Sequence, residues 1–574
     1  MNEEQEQKSI QLRALVAFAL SALVLFLYQY LMVKPAPRTP AVTQPVTQPK
    51  PASPEAAPKA AKPVRASTST VPVDAARAEQ TYIVETDTYL VALSNRGAVV
   101  TSWTLKQYKD DAGKPLELVN TAAVGGVGYP FSFLVRDNQP AADLNQALFR
   151  VETSPATSRG RVTAPVELTF QWSDGNVKAR KTLRFAKNSY LVQVESELAQ
   201  GGAPAPHLLA WRGGFGDPAV IDAATKVKTF YYDTAQGKVV WLEAKAAEKG
   251  PVLNAGNYLY AGIEDLYFAA AFLPINPGRF LQLETSSFET VTSHDKKKHH
   301  FAGAAVGGGG ENRFNLYVGP KNLNILRSVH PQLPQLVDFG FFSLIAYPLF
   351  LFLNWVHRFV PNFGWAIVVA TVLINFFPLF PLKLKSMKSM KKMQKLQPLI
   401  KHINDKYKGL SLRDPKRQDQ NKEVMELYSK YGVNPLGGCL PMLLQMPFFF
   451  AFYTVLNVSI EMRHASWLWV RDLSAPEHIP IRILPLAMIG TQFWYQKMTP
   501  TTTADPAQQK MMQFMPLVMG FFFYGLSSGL VLYWLTGNLV GIAQQWFINR
   551  LPEPELPLEM PRKGKQKKLK PGRK

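Results

Sequence analysis

Six apolar runs constrain this chain more than any other feature. Residues 14–33 (ALVAFALSALVLFLYQYLMV) form one uncharged run of about the 20 residues that a helix needs to cross a bilayer. The others come only after residue 340, at 363–382, 436–460, 481–496, 511–526 and 530–548. Hydrophobic residues make up 47% of the 574, yet the mean hydropathy is -0.07, so the apolar residues are segregated. Segregation of this kind predicts six membrane spans. The first is too long for a signal-peptide core and runs into KPAP rather than a small-residue cleavage site, which predicts a retained anchor. Residues 339–357 (FGFFSLIAYPLFLFLNWVH) are also apolar but are interrupted by Pro348, Asn354 and His357. With Trp355 and Arg358 beside them they read as a helix lying in the interface.

Charge orients the spans. Segment 383–434 holds fourteen Lys/Arg against five Asp/Glu, and 550–574 holds nine against three. Both fall on one side if four spans separate them, and the excess of cations places that side in the cytoplasm. Six spans then put the N-terminus inside as well, so segment 34–335 is exported. A net charge of +22 also suits nucleic-acid binding, but the lysines stand beside spans. The tail KGKQKKLKPGRK remains basic enough to touch ribosomal RNA.

The exported part has two sections. Residues 35–79 are a Pro/Ala-rich linker with too few large apolar side chains to fold. Residues 80–325 alternate apolar and polar in short runs such as VELTFQW, KARKTLRF and FNLYVG, separated by turn signals NRG, SDGN, KNS and NPG. That pattern predicts a large antiparallel β-sandwich. The only cysteine, Cys439, lies within a predicted span, so the sandwich is held by its own core. The predicted organisation is an anchor at 1–34, the linker, the sandwich at 80–325 and an interfacial region at 326–361. A helical core at 362–549 and a basic tail at 550–574 complete it.

Motifs for bond-making chemistry are scarce. His294, His299 and His300 in SHDKKKHH have metal-ligand chemistry, but a charged loop ahead of GGGG reads as solvent-exposed. Trp172, Trp211 and Trp241 have the surface to stack on sugars, but isolated tryptophans in a sandwich read as core. No GxxxxGK[ST] loop is present, and Ser389–Lys392 (SMKK) lies on a Lys-rich helix without companion motifs. No cofactor is implied.

The membrane half says more. Leu396, Ile400, Ile403 and Tyr407 form one helical stripe, and Val424, Leu427, Tyr428 and Tyr431 form a second. With the turn at 409–417 they predict a basic cytoplasmic hairpin over 383–434. Met387, Met390 and Met393, interleaved with Lys388, Lys391 and Lys392, offer adaptable apolar contacts to a partner or simply pack the hairpin. Within the spans, Thr371 and Asn375 share a helix face, Gln445 sits between Pro441 and Pro447, and Tyr533, Trp534, Thr536 and Asn538 fall in the last run. Uncompensated amides in hydrocarbon cost roughly several kcal/mol, so these residues face water or each other. A polar cavity between helices follows, with interhelical hydrogen bonding as the competing use.

VNPLGGCLPMLLQMPFFFAFY, QKMTPTTTADPAQQKMMQFMP, SSGLVLYW and SMKSMKKMQKLQP closely resemble the YidC membrane protein insertase family. LYVGP and VDFGFFSLIAYPLF resemble its Gram-negative members, which carry a large periplasmic domain. The resemblance implies a multi-pass inner-membrane protein with a five-helix insertase core and both termini cytoplasmic. It implies insertion of nascent membrane proteins, alone or beside the Sec translocon, through a polar groove open to cytoplasm and lipid. Thr371, Gln445 and Tyr533 match groove residues, and Trp534 replaces a second tyrosine. Asn375 or Phe376 stands where the family typically carries an arginine, so a mechanism needing a fixed charge there is in doubt. Two other classes compete with this one: a small-solute transporter, for which no inverted repeat is found, and an envelope-assembly protein acting through its sandwich.

Overall fold

Period-2 alternation becomes strands wherever it occurs among the described residues. Strand Leu191–Gln200 buries Val192, Val194, Ser196 and Leu198 and turns Gln193 to solvent, as a pleat with one buried face requires. The computed structural model describes residues 73–135, 143–156, 160–217, 220, 223–275, 281–291, 298–377, 379–407, 416–433, 440–499 and 506–552. The predicted anchor, most of the linker, nearly all of the tail, the hairpin turn, Pro378, Cys439 and His294 lie outside them.

A ten-stranded sheet faces two five-stranded sheets. In its middle, Val166–Ser173, Val177–Phe185 and Leu191–Gln200 are successive antiparallel partners. Glu311–Pro320 then inserts between Leu191–Gln200 and Phe268–Pro274, pairing with both. Tyr89 of one short sheet meets Phe185 of the long one at 6.5 Å, and Thr229 of the long sheet hydrogen-bonds Thr285 of the other at 2.6 Å. Trp103 and Trp211, both fully buried, join the two short sheets at 6.2 Å. The sandwich is not wholly antiparallel, because Thr81–Glu85 pairs parallel with Arg161–Thr163. Alternation fixes which face of a strand is buried, not the direction of its neighbour, so the sequence carried no sign of this.

Predicted His299 and His300 lie on strand Lys298–Gly307, with His300 exposed. Trp172 is partly buried against the core, and Trp241 donates to Glu264 at 2.9 Å.

The sandwich meets the helical part through charged groups. Arg463, just after a 3-10 turn at Ile460–Met462, donates to Asp217 through Nε (2.9 Å) and Nη2. The side chains are 5% and 3% exposed. Asn322 reaches Glu461 at 2.8 Å. Behind Asp217, Asp265 accepts the backbone N–H groups of Asp217, Tyr267 and Phe268 at 2.7, 2.8 and 2.6 Å. Burial pushes Asp265 up to about 6. Burial also pushes Glu264 up to about 7, partly offset by Lys321 at 3.3 Å.

Both folded-state values lie above those of the unfolded chain, so folding favours the protonated forms. The stability they contribute is full below about pH 4 and is lost as pH rises through 7. Glu264→Gln is expected to flatten the part of this slope due to Glu264, which is at most about 1.4 kcal/mol per pH unit. Urea unfolding of wild type and variant at a series of pH values measures the difference.

The helices follow. Call them α1 (Ser343–Phe359), α2 (Phe363–Phe376), α3 (Phe380–Lys406), α4 (Lys416–Lys430), α5 (Leu440–Val458), α6 (Ile483–Met498), α7 (Pro506–Phe523) and α8 (Ser528–Arg550). No single described helix is long and apolar enough to cross a membrane, and α1 with α2 reach that length only as a pair bent by 118°. Helix α8 has the length, about 34 Å at 1.5 Å per residue, but carries Asn538, Gln544 and Gln545.

The run 363–382, expected as one span, is two helices. Helix α2 ends at Phe376, and Pro381 lies in the first turn of α3, where its missing N–H costs nothing. Helices α3 and α4 pack as a hairpin through Met393, Leu396 and Ile400 against Val424, Leu427 and Tyr428. Lys406 and Tyr407 both reach Glu423, at 2.5 and 2.8 Å.

Candidate functional site

Helix α8 is the hub of the helical part. Its polar side chains reach four other helices in two groups, eleven residues and about 16 Å apart along its axis.

The first group surrounds Tyr533. Gln445 of α5 donates its amide to the Tyr533 hydroxyl at 2.9 Å, and the ring stacks on Phe452 at 4.2 Å. Trp534 donates to Gln492 of α6 at 3.2 Å and lies between Phe449 and Phe523. One turn on, Asn538 donates to the Met488 carbonyl (3.2 Å) and the Thr491 hydroxyl (3.3 Å). These are interhelical hydrogen bonds, so the residues expected to line a cavity also join helices.

The second group surrounds Gln544. Thr371 and Asn375 are buried on α2, on one face as their spacing requires. Their side chains are spent locally: Thr371 donates to the Ile367 carbonyl at 2.6 Å and Asn375 to the Thr371 carbonyl at 2.9 Å. The Asn375 carbonyl is the group that reaches outward. It lies in the last turn of α2, where carbonyls lose their intrahelical partners, and it accepts from Gln544 Nε2 at 2.9 Å. Gln544 Oε1 in turn accepts from Lys383 Nζ of α3 at 3.0 Å. The Lys383 ammonium lies 5.0 Å from the centre of the Tyr495 ring. Gly541 leaves room for the Tyr495 ring, since a Cβ there would stand 3.1 Å from it.

The Lys/Met ladder divides. Met387 and Met390 are buried against Ile548 of α8, and Met393 is buried inside the hairpin. Packing therefore occupies all three, but only Met393 packs within the hairpin, as the second of the two readings has it. Lys391 donates to the Ile548 carbonyl at 2.6 Å and so caps α8. Lys388 is exposed and Lys392 half-buried.

Thr371–Asn375 and Gln445–Tyr533 are thus not one cluster but two stations on α8. Lys383, Gln492 and Gln544 were not foreseen. For Gln544 the signal was present, because an amide inside the run 530–548 needs a partner as much as Asn375 does.

Helices α1 and α7 show Leu344, Leu351 and Phe359, and Phe514, Leu517 and Phe521, to the outside, while polar side chains of α5, α6 and α8 pair inside the bundle, as in a membrane-embedded helical protein. Here it carries a large β-rich domain. Two family models match: "60Kd inner membrane protein" over residues 355–555 and "YidC periplasmic domain" over 81–352. The membrane protein insertase YidC of Syntrophus aciditrophicus is 34% identical over 94% of this chain and 99% of its own. That of Wolinella succinogenes is 45% identical over 41% of this chain and 43% of its own. A crystal structure of an active YidC insertase, with its first transmembrane domain resolved, covers 83% of this chain and 94% of its own. Its identity is 20% and its TM-score 0.34. The chain belongs to the YidC membrane protein insertase family.

Proposed function

We propose that this chain inserts nascent membrane proteins into the inner membrane along the polar seam of α8. The observation that carries this reading is the pairing of Gln445 with Tyr533 and of Gln544 with the Asn375 carbonyl inside an apolar bundle. Each pair is a set of hydrogen-bonding groups that a passing backbone can borrow and return.

The energetics follow from cost. An Asp, Lys or Arg at the centre of a spanning helix costs about 2.5–3.5 kcal/mol, whereas each Leu, Ile, Phe or Val returns about 0.3–0.6 kcal/mol. A substrate's apolar segment therefore drives the finished insertion but leaves a barrier wherever polar backbone enters hydrocarbon unpaired. Groups on α8, α5 and α2 lower that barrier by supplying partners over part of the crossing. No bond is made or broken, so the chain acts as an insertase and chaperone rather than an enzyme.

In this reading six spans place both termini in the cytoplasm, with 1–34 as anchor and 80–325 in the periplasm. The hairpin receives the chain, with Lys388 and Lys392 among the cations it presents. The basic tail meets the ribosome, and the Sec translocon shares part of the substrate load.

A photo-crosslinker at position 375 or 533 is expected to capture a ribosome-stalled membrane protein. Thr371→Ala with Gln445→Ala is expected to lower insertion yield about fivefold, the worth of about 1 kcal/mol in lost hydrogen bonding. Unchanged yield, or no crosslink from either position, sinks the polar-seam reading.

A further inference from the structure

The segment between α5 and α6 closes on itself in one tight turn. Trp467 and Val470 exchange both backbone hydrogen bonds, at 2.9 and 2.8 Å, which leaves Leu468 and Trp469 at the tip. Turn tips usually carry Gly, Asn, Asp or Ser, which tolerate a positive φ or bond to water and to the local backbone. Leu468 stands at a φ of 49°, in the left-handed region that a bulky apolar side chain rarely adopts. It is 63% exposed, and Trp469 beside it 40%. Trp467 and Val470 are buried, so the turn is gripped from below while its two apolar tip residues project.

The turn is seated on the ends of α1 and α2. Trp467 packs edge-on against Trp365 of α2 at 5.5 Å, and Gly364 makes room for it, since a Cβ there would stand 2.3 Å from Trp467. Asn362, which caps α2 through the Trp365 N–H at 3.1 Å, donates to the Ser466 carbonyl at 2.9 Å. Trp365 is itself exposed, as are Trp355 and Phe359 at the end of α1. The tip therefore continues an exposed aromatic surface of the membrane-embedded bundle. Arg463 of the same segment binds Asp217, which puts this surface on the sandwich side. Arg471, two residues past the tip, is exposed. Indoles, an aliphatic side chain and a cation in so short a stretch suit the level of lipid headgroups.

We propose that the tip Leu468–Trp469 docks into the headgroup region of the leaflet nearest the sandwich, with phospholipid as its partner. The proposal rests on the membrane embedding of the helices and not on the polar-seam reading. Lipid takes the tip out of water, which offsets the cost of holding a leucine in a backbone conformation made for Gly or Asn. The Trp469 indole is held by a carboxylate: its N–H donates to Glu477, which also accepts the Leu484 N–H at 2.9 Å. The same segment holds α8. The carbonyls of Leu473 and Ala475 accept the N–H groups of Gly529 and Ser528, both at 2.8 Å, and so satisfy donors that the first turn of α8 leaves open. The depth of the tip thereby sets the level of α8 in the bilayer.

The test uses the full chain in phosphatidylcholine vesicles, with Cys439→Ser and one new cysteine carrying a nitrobenzoxadiazole probe. On Leu468→Cys the probe is expected to resist iodide and to be quenched by spin-labelled lipid, at a depth of about 5–10 Å into the boundary between headgroups and acyl chains. On Lys178→Cys, exposed on the sandwich, it is expected to show the reverse. Because the probe itself favours lipid, a second arm places it on the exposed Ser466→Cys and keeps Leu468. Leu468→Asn suits the turn better, and is expected to lower quenching by lipid there while the unfolding temperature holds or rises. Iodide access at 468, or lipid quenching at 466 that Leu468→Asn leaves unmoved, overturns the proposal. Protection from both quenchers also overturns it, because the cover is then protein, such as a second copy of the chain.

Discussion

Arg463→Ala is expected to destabilise the chain by about 3–5 kcal/mol, the cost of removing one member of a buried ion pair. Asp217 is 3% exposed and has no access to water that would replace the guanidinium. Its own N–H is bonded to Asp265, so a second buried carboxylate stands directly behind it. Removing Arg463 leaves two acids in one apolar region, beside the Phe268 ring that the guanidinium now overlies at 6.0 Å. For a domain of this size the loss corresponds to roughly 10 °C in unfolding temperature, readable by tryptophan fluorescence of the detergent-solubilised chain.

The double variant Arg463→Met with Asp217→Leu is expected to recover most of the loss, because apolar residues of similar volume replace a buried pair at little cost. A shift below about 2 °C for Arg463→Ala would mean that water reaches Asp217 and the pair is solvated. The recovery experiment separates the charge effect from simple loss of the arginine's bulk.

Tyr533→Ala is expected to have the second large effect, about 3–5 kcal/mol on the helical part. The ring is 3% exposed and stacks on Phe452, so alanine leaves a cavity at the hub of the bundle. Tyr533→Phe keeps the ring and removes only the acceptor of the Gln445 amide. That change costs about 0.6 kcal/mol, the average of interhelical hydrogen bonds measured in lipid. The two variants therefore divide packing from polarity. If the polar pair serves insertion, Tyr533→Phe lowers insertion yield while barely moving the unfolding temperature. If yield follows stability in both variants, the hydroxyl serves only to hold helices together.

Much of this arrangement was legible because its causes are local. The strands at 166–173, 177–185, 191–200 and 311–320 follow from period-2 alternation and turn signals. The stripes over Leu396–Tyr407 and Val424–Tyr431 follow from helical spacing, and they do pack together. Gln445 and Tyr533 were singled out because polar groups in an apolar run require partners, and each turned out to be the other's.

What misled was also physical. Asn375 drew attention as a side chain, but its amide turns back onto its own helix, a bond available to an Asn four residues after a helical carbonyl. The methionine ladder has the composition of an adaptable surface, yet it is buried, since an apolar side chain at helical spacing packs wherever a neighbour is offered.

The sequence alone determined the division into a β-rich part and an apolar helical part, and the family. The division depends on composition and periodicity, which are summed along the chain, and the family on the resemblance of contiguous motifs such as VNPLGGCLPMLLQMPFFFAFY. Only the tertiary structure decided that the run 363–382 breaks, that the break frees the Asn375 carbonyl, and that Gln544 carries it to Lys383 across 161 residues. It alone placed Arg463 against Asp217 across 246 residues. Such partners are set by which surfaces meet in three dimensions, and no local propensity records them.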